Sequence, residues 1–486
     1  MPSNRVVKVR STGESVTAQE MRDGIAAIQQ EMKLSAAFPD AVEEAAAAAA
    51  AAPRLPELDR TDIELVTIDP EGARDLDQAM HIARDADHPG GYVVHYAIAD
   101  VAAFVTAGDP VDVEANRRGE TLYGADSKIP LHPKVLSEGA ASLLPDQVRP
   151  ALLWTIRVDD VGEGVDVQVE RALVRSRAQL SYLEVQADLD AGRAPELIGL
   201  LKEVGELRLA REAARGGVSL PLPEQELVET GDGHWELEFR RLTPVENWNA
   251  QISLLTGMAA ASLMVYARVG ILRTLPPADP RDVQRLHRTA RALGIEWPAE
   301  QLYPDFIRTL DPSRPTHAAM IVACTRLLRG AGYVTFNGEL PEQAQHSALA
   351  SEYAHVTAPL RRLADRYAGE ICVALCAGTE VPDWVISAMA ELPDTMTSSG
   401  RRANQYENAV VNLCEAELLS DRVGETFTAV VVDLDEKDKK KGDITIQDPA
   451  IEASVVGSAD LPLGEEVTVE LVQADPRTRT VEFRLA

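Results

Sequence analysis

Apolar positions change their period three times along this chain, and each change marks an architectural division. From residue 17 to 52 the spacing is helical and ends in AVEEAAAAAAAA (Ala41–Ala52), which Pro53 halts. A run of eight alanines without apolar periodicity predicts a spacer helix, and PRLPELDR (Pro53–Arg60) predicts a proline-punctuated joint. From Glu64 onward the pattern alternates: IELVTID, DQAMHIAR and GYVVHYAIADVAAFV read as strands. The turn-rich DADHPGG predicts a hairpin that brings His81 and Val94 together. A second pair, RPALLWTIRVDD and VDVQVERALVRSRAQLSY, is joined by VGEG. Residues 61–182 are therefore expected to form a mixed sheet with short helices.

After Leu183 the period becomes helical, as in PELIGLLKEVGELRLAREAAR and ENWNAQISLLTGMAAASLMVYARV. From Val423 about five short strands follow one another, as expected of a small OB-type barrel. The expected class is α+β, a mixed sheet surrounded by helices with a small C-terminal β-barrel. The divisions are 1–60, a helical N-terminal segment; 61–422, the large central domain; and 423–486, the barrel. No internal repeat is visible.

Composition narrows the function classes. The 48 Lys+Arg against 77 Asp+Glu give a formal charge of −29, which excludes a molecule basic as a whole and leaves only a local basic path for a polyanion. Arginine outnumbers lysine 39 to 9, and the guanidinium fork suits bidentate phosphate contact. No uninterrupted apolar run reaches 18 residues, so no membrane span is expected. The N-terminus shows no apolar signal core, and Cys324, Cys372, Cys376 and Cys414 read as free thiols. These features predict a reducing, cytoplasmic location.

The sharpest chemistry is TIDPEGARDLDQAM, where Asp69, Asp75 and Asp77 fall within nine residues between two strands. Three carboxylates aimed into one cleft repel one another unless a hard cation lies among them, and magnesium is the natural oxygen-bound occupant. A polar turn with aspartates as caps accounts for the same spacing. Spacing alone leaves both readings open.

The order of motifs then matters. Asp69-Pro70 through Asp77-Gln78-Ala79 is followed by HYAIADVAAFV, ETLYGADSKIPLHPKVLSEGAASLLPDQVRP, VRSRAQLSYLEV and EYAHVTAPLRRLADRY. This series resembles the catalytic domain of the ribonuclease II/ribonuclease R (RNB) family over roughly residues 61–420. The resemblance implies a magnesium-dependent, hydrolytic 3′-to-5′ exoribonuclease that degrades single-stranded RNA to 5′-nucleotides. It implies metal positions at Asp69, Asp75, Asp77 and Gln78, the last replacing the usual aspartate. Asp77 matches the acid regarded as indispensable for cleavage, with Asp75 beside it.

Tyr123 matches the ring that stacks on the terminal base, Tyr182 the one at the scissile phosphate, and Arg361 the arginine that polarises that phosphate. Glu246 is the plausible survivor of paired acids on its helix, with Asn249 one turn later. Arg171, Arg175 and Arg177 share one strand face along the expected RNA path. Asp365 is expected to steady Arg361 from four residues away, and His355 to be structural. The expected partner is single-stranded RNA, with no membrane and a monomeric chain.

Two departures weaken the expected grip on RNA. The N-terminal residues leave no room for tandem cold-shock barrels, and the C-terminal barrel has 14 acids against 7 bases with only Phe427 and Phe483 as aromatics. That barrel's KDKKK loop (Lys437–Lys441) is its one basic feature. Because Gln78 brings no charge, the alternative is an RNB-fold RNA-binding protein with weakened or lost nuclease activity.

Overall fold

The structure, a computed structural model, describes residues 8–10, 16–125, 127–222, 224–229 and 235–486. A short strand at Lys8–Arg10 precedes helices α1 (Val16–Glu31) and α2 (Asp40–Ala51). On α1, Met21, Ile25 and Ile28 recur at helical spacing and are buried in a core that also contains the C-terminal barrel. The alanine helix is no spacer: Val42 and Ala46 are buried, in a core with Phe104, Val111 and Leu136. Methyl side chains let the backbones approach closely, so burial there needs no large apolar residue. The joint after it is docked as well, since Leu173 donates its N–H to Leu58 at 2.8 Å and accepts from Arg60 at 2.8 Å.

The central domain is built on a closed five-stranded barrel. Its strands are β1 (Leu65–Asp69), β2 (Gln78–Arg84), β3 (Tyr92–Ala99), then β6 (Val148–Val158) and β7 (Gly164–Ser181). Between β3 and β6 lie α3 (Pro110–Arg118) and a short hairpin of β4 (Leu122–Tyr123) and β5 (Lys128–Ile129). The expected hairpin is present, with His81 opposite His95 and Ile82 opposite Val94. The expected mixed sheet closes on itself because β1 runs parallel to β7. Alternation splits the strand residues between two cores: Tyr92, Val94, Tyr96 and Trp154 join the helices, whereas Leu65, Ala97, Leu153 and Val174 form the other.

Around the barrel lie α4 (Tyr182–Asp190), α5 (Glu196–Arg215), α6 (Pro244–Ala267), α7 (Leu363–Ala377) and α8 (Leu392–Leu419). Helix α6 is long and apolar enough to cross a membrane, but Val245, Ile252, Leu255, Ala260 and Ala261 are buried in the domain core. Its apolarity is that of a core helix. A Cβ added at Gly257 of α6 would lie 2.1 Å from Cε2 of Tyr353, so glycine is what lets α6 touch the segment that precedes Arg361.

The C-terminal barrel has strands β8 (Thr426–Leu434), β9 (Lys441–Ile446), β10 (Ile451–Val456), β11 (Glu466–Asp475) and β12 (Thr480–Leu485). They close in the order β8-β9-β10-β12-β11, with β10 parallel to β12. Phe427 and Phe483 are buried and meet edge to face at 5.7 Å, as core rather than surface rings. The barrel is anchored by Arg326, 3.1 Å from both Asp433 and Glu436. None of the four cysteines is in a disulfide; Cys324, Cys372 and Cys414 are buried and Cys376 half-buried.

Candidate active site

The parallel closure of the central barrel gathers the acidic turn onto one rim. Strand β1 ends at Asp69, which pairs with Ser181 at the end of β7. The chain turns through residues 70–77 and re-enters at Gln78, so the whole turn and the start of α4 share that rim. The turn is held by Ser142, whose hydroxyl accepts from Leu76 N–H at 3.0 Å and donates to Arg74 O at 2.6 Å. Gln179 adds a 2.7 Å hydrogen bond to Ala73 O.

Burial makes these carboxylates reluctant to ionise. Asp77 is 5% exposed, and desolvation pushes its carboxyl up to about 8, opposed by Arg361 and the Leu360 N–H. Asp69 is pushed up to about 7 by desolvation and then by Asp75. Its Oδ2 is buried without a hydrogen-bond partner. An orphaned buried oxygen within electrostatic range of the half-buried Asp75 carboxylate fits a hard divalent cation, which magnesium chemistry allows through one or two carboxylates. Among the described residues, however, no three acidic, histidine or cysteine side chains converge as a ready-made metal cluster.

Asp75 is already partnered. Its Oδ1 accepts from the Lys128 ammonium at 2.8 Å, and the same ammonium reaches Glu138 at 3.0 Å. Neither Lys128 nor Glu138 stands out in the sequence; a lysine 51 residues beyond the turn gives no local signal. Burial pulls Lys128 down, but its contacts to Asp75 and Glu138 outweigh this and hold the ammonium charged.

The loop before α7 is sewn to the acidic strand. Leu360 N–H donates to Asp77 Oδ1 at 2.7 Å, and Gln78 Nε2 donates to Thr357 O at 2.6 Å. These two bonds bring Arg361 Nε to 3.6 Å from Asp77 Oδ2 while its side chain stays 44% exposed. Gln78 Oε1 accepts from the buried Tyr96 hydroxyl at 2.7 Å. Its amide therefore ties strand to loop, rather than serving first as the metal ligand the resemblance implied.

Arg362 is engaged by the helix that follows it. Asp365, though, pairs with Arg362 at 2.5 Å and with Ala358 N–H at 2.7 Å, not with Arg361 as expected. At the helix start, the aspartate three residues on faces Arg362. His355 is buried, hydrogen-bonded to the Tyr333 hydroxyl at 2.6 Å, and held neutral chiefly by desolvation, in agreement with a structural role.

Both tyrosines reach the rim. Tyr123 faces Lys128 across the β4–β5 hairpin, and β4 is placed by Thr121 N–H donating to Arg361 O at 2.9 Å. Desolvation raises its hydroxyl to about 12, with Arg361, Asp75 and Asp77 all within electrostatic range. Tyr182 opens α4 behind a Ser181–Glu184 capping box, and Asn249 Nδ2 donates to its hydroxyl at 2.9 Å. Tyr182 stays un-ionised through burial and then Asp69.

Two expected RNA contacts are spent elsewhere. Glu246 is the N3 residue of the α6 capping box and is clamped by both terminal nitrogens of Arg240, at 2.9 Å each. Asn249, one turn on, reaches the site through Tyr182. Arg171 is paired with Asp100 at 2.8 Å and with Glu370, so it is not a free phosphate ligand. Arg177 donates to Thr61 O at 2.7 Å, and Arg175 lies beside Asp59 of the docked joint. The alternation of this strand face is legible in the sequence; the carboxylates waiting for Arg171 are not.

Comparison with known families decides the identity of this fold. The RNB domain family matches residues 58–376, well over half of the chain. The chain belongs to the RNB family. The RNase II-type exonuclease C-terminal S1 domain matches residues 425–486.

Among curated RNB relatives, Ribonuclease R of Escherichia coli is 28% identical over 398 residues, 77% of this chain and 48% of that protein. The human exosome complex exonuclease RRP44 is 26% identical over 314 residues, 62% of this chain and 32% of that protein. The chain thus spans about half or less of the length of these relatives. Mycoplasma genitalium RNase R, solved in complex with ribose-methylated single-stranded RNA, shares the fold with a TM-score of 0.84. It is 19% identical, with 96% of this chain and 78% of that one covered. Yeast Ssd1, a pseudonuclease, shares it at 0.69 and 15% identity, over 93% and 58%.

Proposed function

We propose that this chain is a magnesium-dependent exoribonuclease that hydrolyses single-stranded RNA from its 3′ end and releases 5′-nucleoside monophosphates. The observation that carries this reading is the buried Asp77 carboxylate 3.6 Å from Arg361, an arginine also within electrostatic range of Asp69, Tyr123 and Tyr182. Mycoplasma genitalium RNase R, solved with single-stranded and with double-stranded RNA, supports RNA as the substrate class; the single strand is the choice the family resemblance implies.

In hydrolysis, a water oxygen bonds to phosphorus, the P–O3′ bond to the preceding nucleotide breaks, and that 3′ oxygen takes up a proton. A bound magnesium ion supplies Lewis-acid stabilisation of the phosphate and of the attacking oxygen; Asp69 and Asp77 would hold it. Arg361 stands outside the acidic pair with an exposed guanidinium, so it offers fixed donors to the non-bridging oxygens as their charge grows. The Asn249 amide occupies a lone pair of the Tyr182 hydroxyl and leaves its hydrogen free to donate to a phosphate oxygen. Tyr123, in electrostatic range of Arg361 and Asp77, supplies a ring for the terminal base, a contact worth about 1–3 kcal/mol.

The second reading, an RNA-binding protein without turnover, draws on Gln78, whose amide is committed to Thr357 and Tyr96, and on the pseudonuclease neighbour. Mononucleotide release from a labelled oligoribonucleotide with and without magnesium separates the two. Release that needs magnesium establishes the nuclease; binding without release establishes the alternative.

A further inference from the structure

Three features of the rim converge on one residue outside the acidic motif. First, the fourth acidic position is a neutral glutamine whose amide is already engaged. Second, one oxygen of Asp75 is taken by Lys128, although Asp75 stays within electrostatic range of Asp69 and Asp77. Third, Oδ2 of Asp69 is buried without a hydrogen-bond partner. Lys128 is no passing surface lysine. It is 23% exposed, its backbone is fixed opposite Tyr123, and it is shared by two carboxylates that are each 18% exposed.

We infer that Lys128 is a resident cation of the active site, a positioning residue that neutralises Asp75 so that the rim takes one divalent ion instead of two. The charge balance agrees. Asp69, Asp75, Asp77 and Glu138 face Lys128 and Arg361, which leaves a formal charge of −2, the charge one divalent cation cancels. A compact ammonium held at 2.8 Å is a permanent substitute for a second ion at that carboxylate. The inference rests on the nuclease reading for its context, but its observable is metal stoichiometry in the absence of RNA.

The test is Mn2+ titration of the full chain followed by electron paramagnetic resonance, which counts free ions directly. Wild type is expected to bind one Mn2+ per chain, Lys128→Met two, and Lys128→Arg one. If Lys128→Met does not fold, by circular dichroism, Lys128→Gln keeps a hydrogen-bonding group without the charge and carries the same expectation. Two ions in wild type, or a neutral variant indistinguishable from wild type in both count and affinity, overturns the inference. Two ions in wild type together with magnesium-dependent RNA hydrolysis removes only the role of Lys128. No bound ion and no hydrolysis removes the nuclease reading with it.

Discussion

Two five-stranded barrels close within this chain by different routes, and the routes explain why chemistry belongs to one of them. In the central barrel the first and last strands are parallel neighbours, so their carboxyl ends, the acidic turn and the first turn of α4 meet on one rim. In the C-terminal barrel the parallel pair is the third and fifth strands, with Val455 opposite the buried Phe483. Its strand-end charges do something else: Asp433 and Glu436 dock it to Arg285 and Arg326 of the helical layer. Closure by itself removes exposed sheet edges. Which strand ends it gathers decides whether a site forms.

The sharpest way to break this contrast is at the central rim. Asp77→Asn is expected to reduce mononucleotide release to below a few percent of wild type while oligoribonucleotide affinity by filter binding stays about the same. Clear residual turnover would remove Asp77 from its central role. Arg361→Ala should lower kcat by about 10²–10³-fold, the usual effect of removing a preorganised donor to developing charge. Arg361→Lys should recover little, because an ammonium lacks the planar fork; single-turnover kinetics measures both.

The C-terminal barrel should respond far less. Deleting it would cut a core shared with α8 and α1, so the clean perturbation is charge removal. Neutralising Lys437, Lys439, Lys440 and Lys441 to glutamine is expected to weaken RNA affinity less than about tenfold at physiological salt. The salt slope should fall by at most about 0.7 for each phosphate that no longer meets an ammonium. A hundredfold weakening would make this barrel a principal RNA grip.

The smallest effect concerns α8, which joins the two barrels. Desolvation, and then Glu120, push Glu407 up to about 7. Its folded pKa exceeds the unfolded value, so the folded state keeps a proton that the unfolded chain has shed. Its contribution therefore falls as pH rises from about 4.5 towards 7. Glu407→Gln should match wild type in Tm at pH 5 and exceed it at pH 8; no difference at pH 8 would show that the carboxyl is solvated.

Much of the architecture is legible because it is written in local periods. Alternation predicts the two hairpins of the central barrel, and clustered short strands predict the C-terminal one. The alanine helix misleads because methyl groups carry no amphipathic signal, although Ala46 is fully buried. Arg171 and Glu246 mislead for a related reason. Sequence shows a charged residue's spacing but not its partner, and Glu370 lies 199 residues from Arg171.

By itself, the sequence determined the chemistry available: an acidic turn, two tyrosines, an arginine behind a proline, and a glutamine where the family has aspartate. Only the tertiary structure decided how that chemistry is spent. It buried Asp69 and Asp77 until ionisation became costly, gave Gln78 to Thr357 and Tyr96, and set Lys128 on Asp75. The physical reason is range. Periodicity and turn preference act over a few residues, whereas desolvation and ion pairing depend on groups that chain closure brings together, from as far as 283 positions away for Leu360 on Asp77.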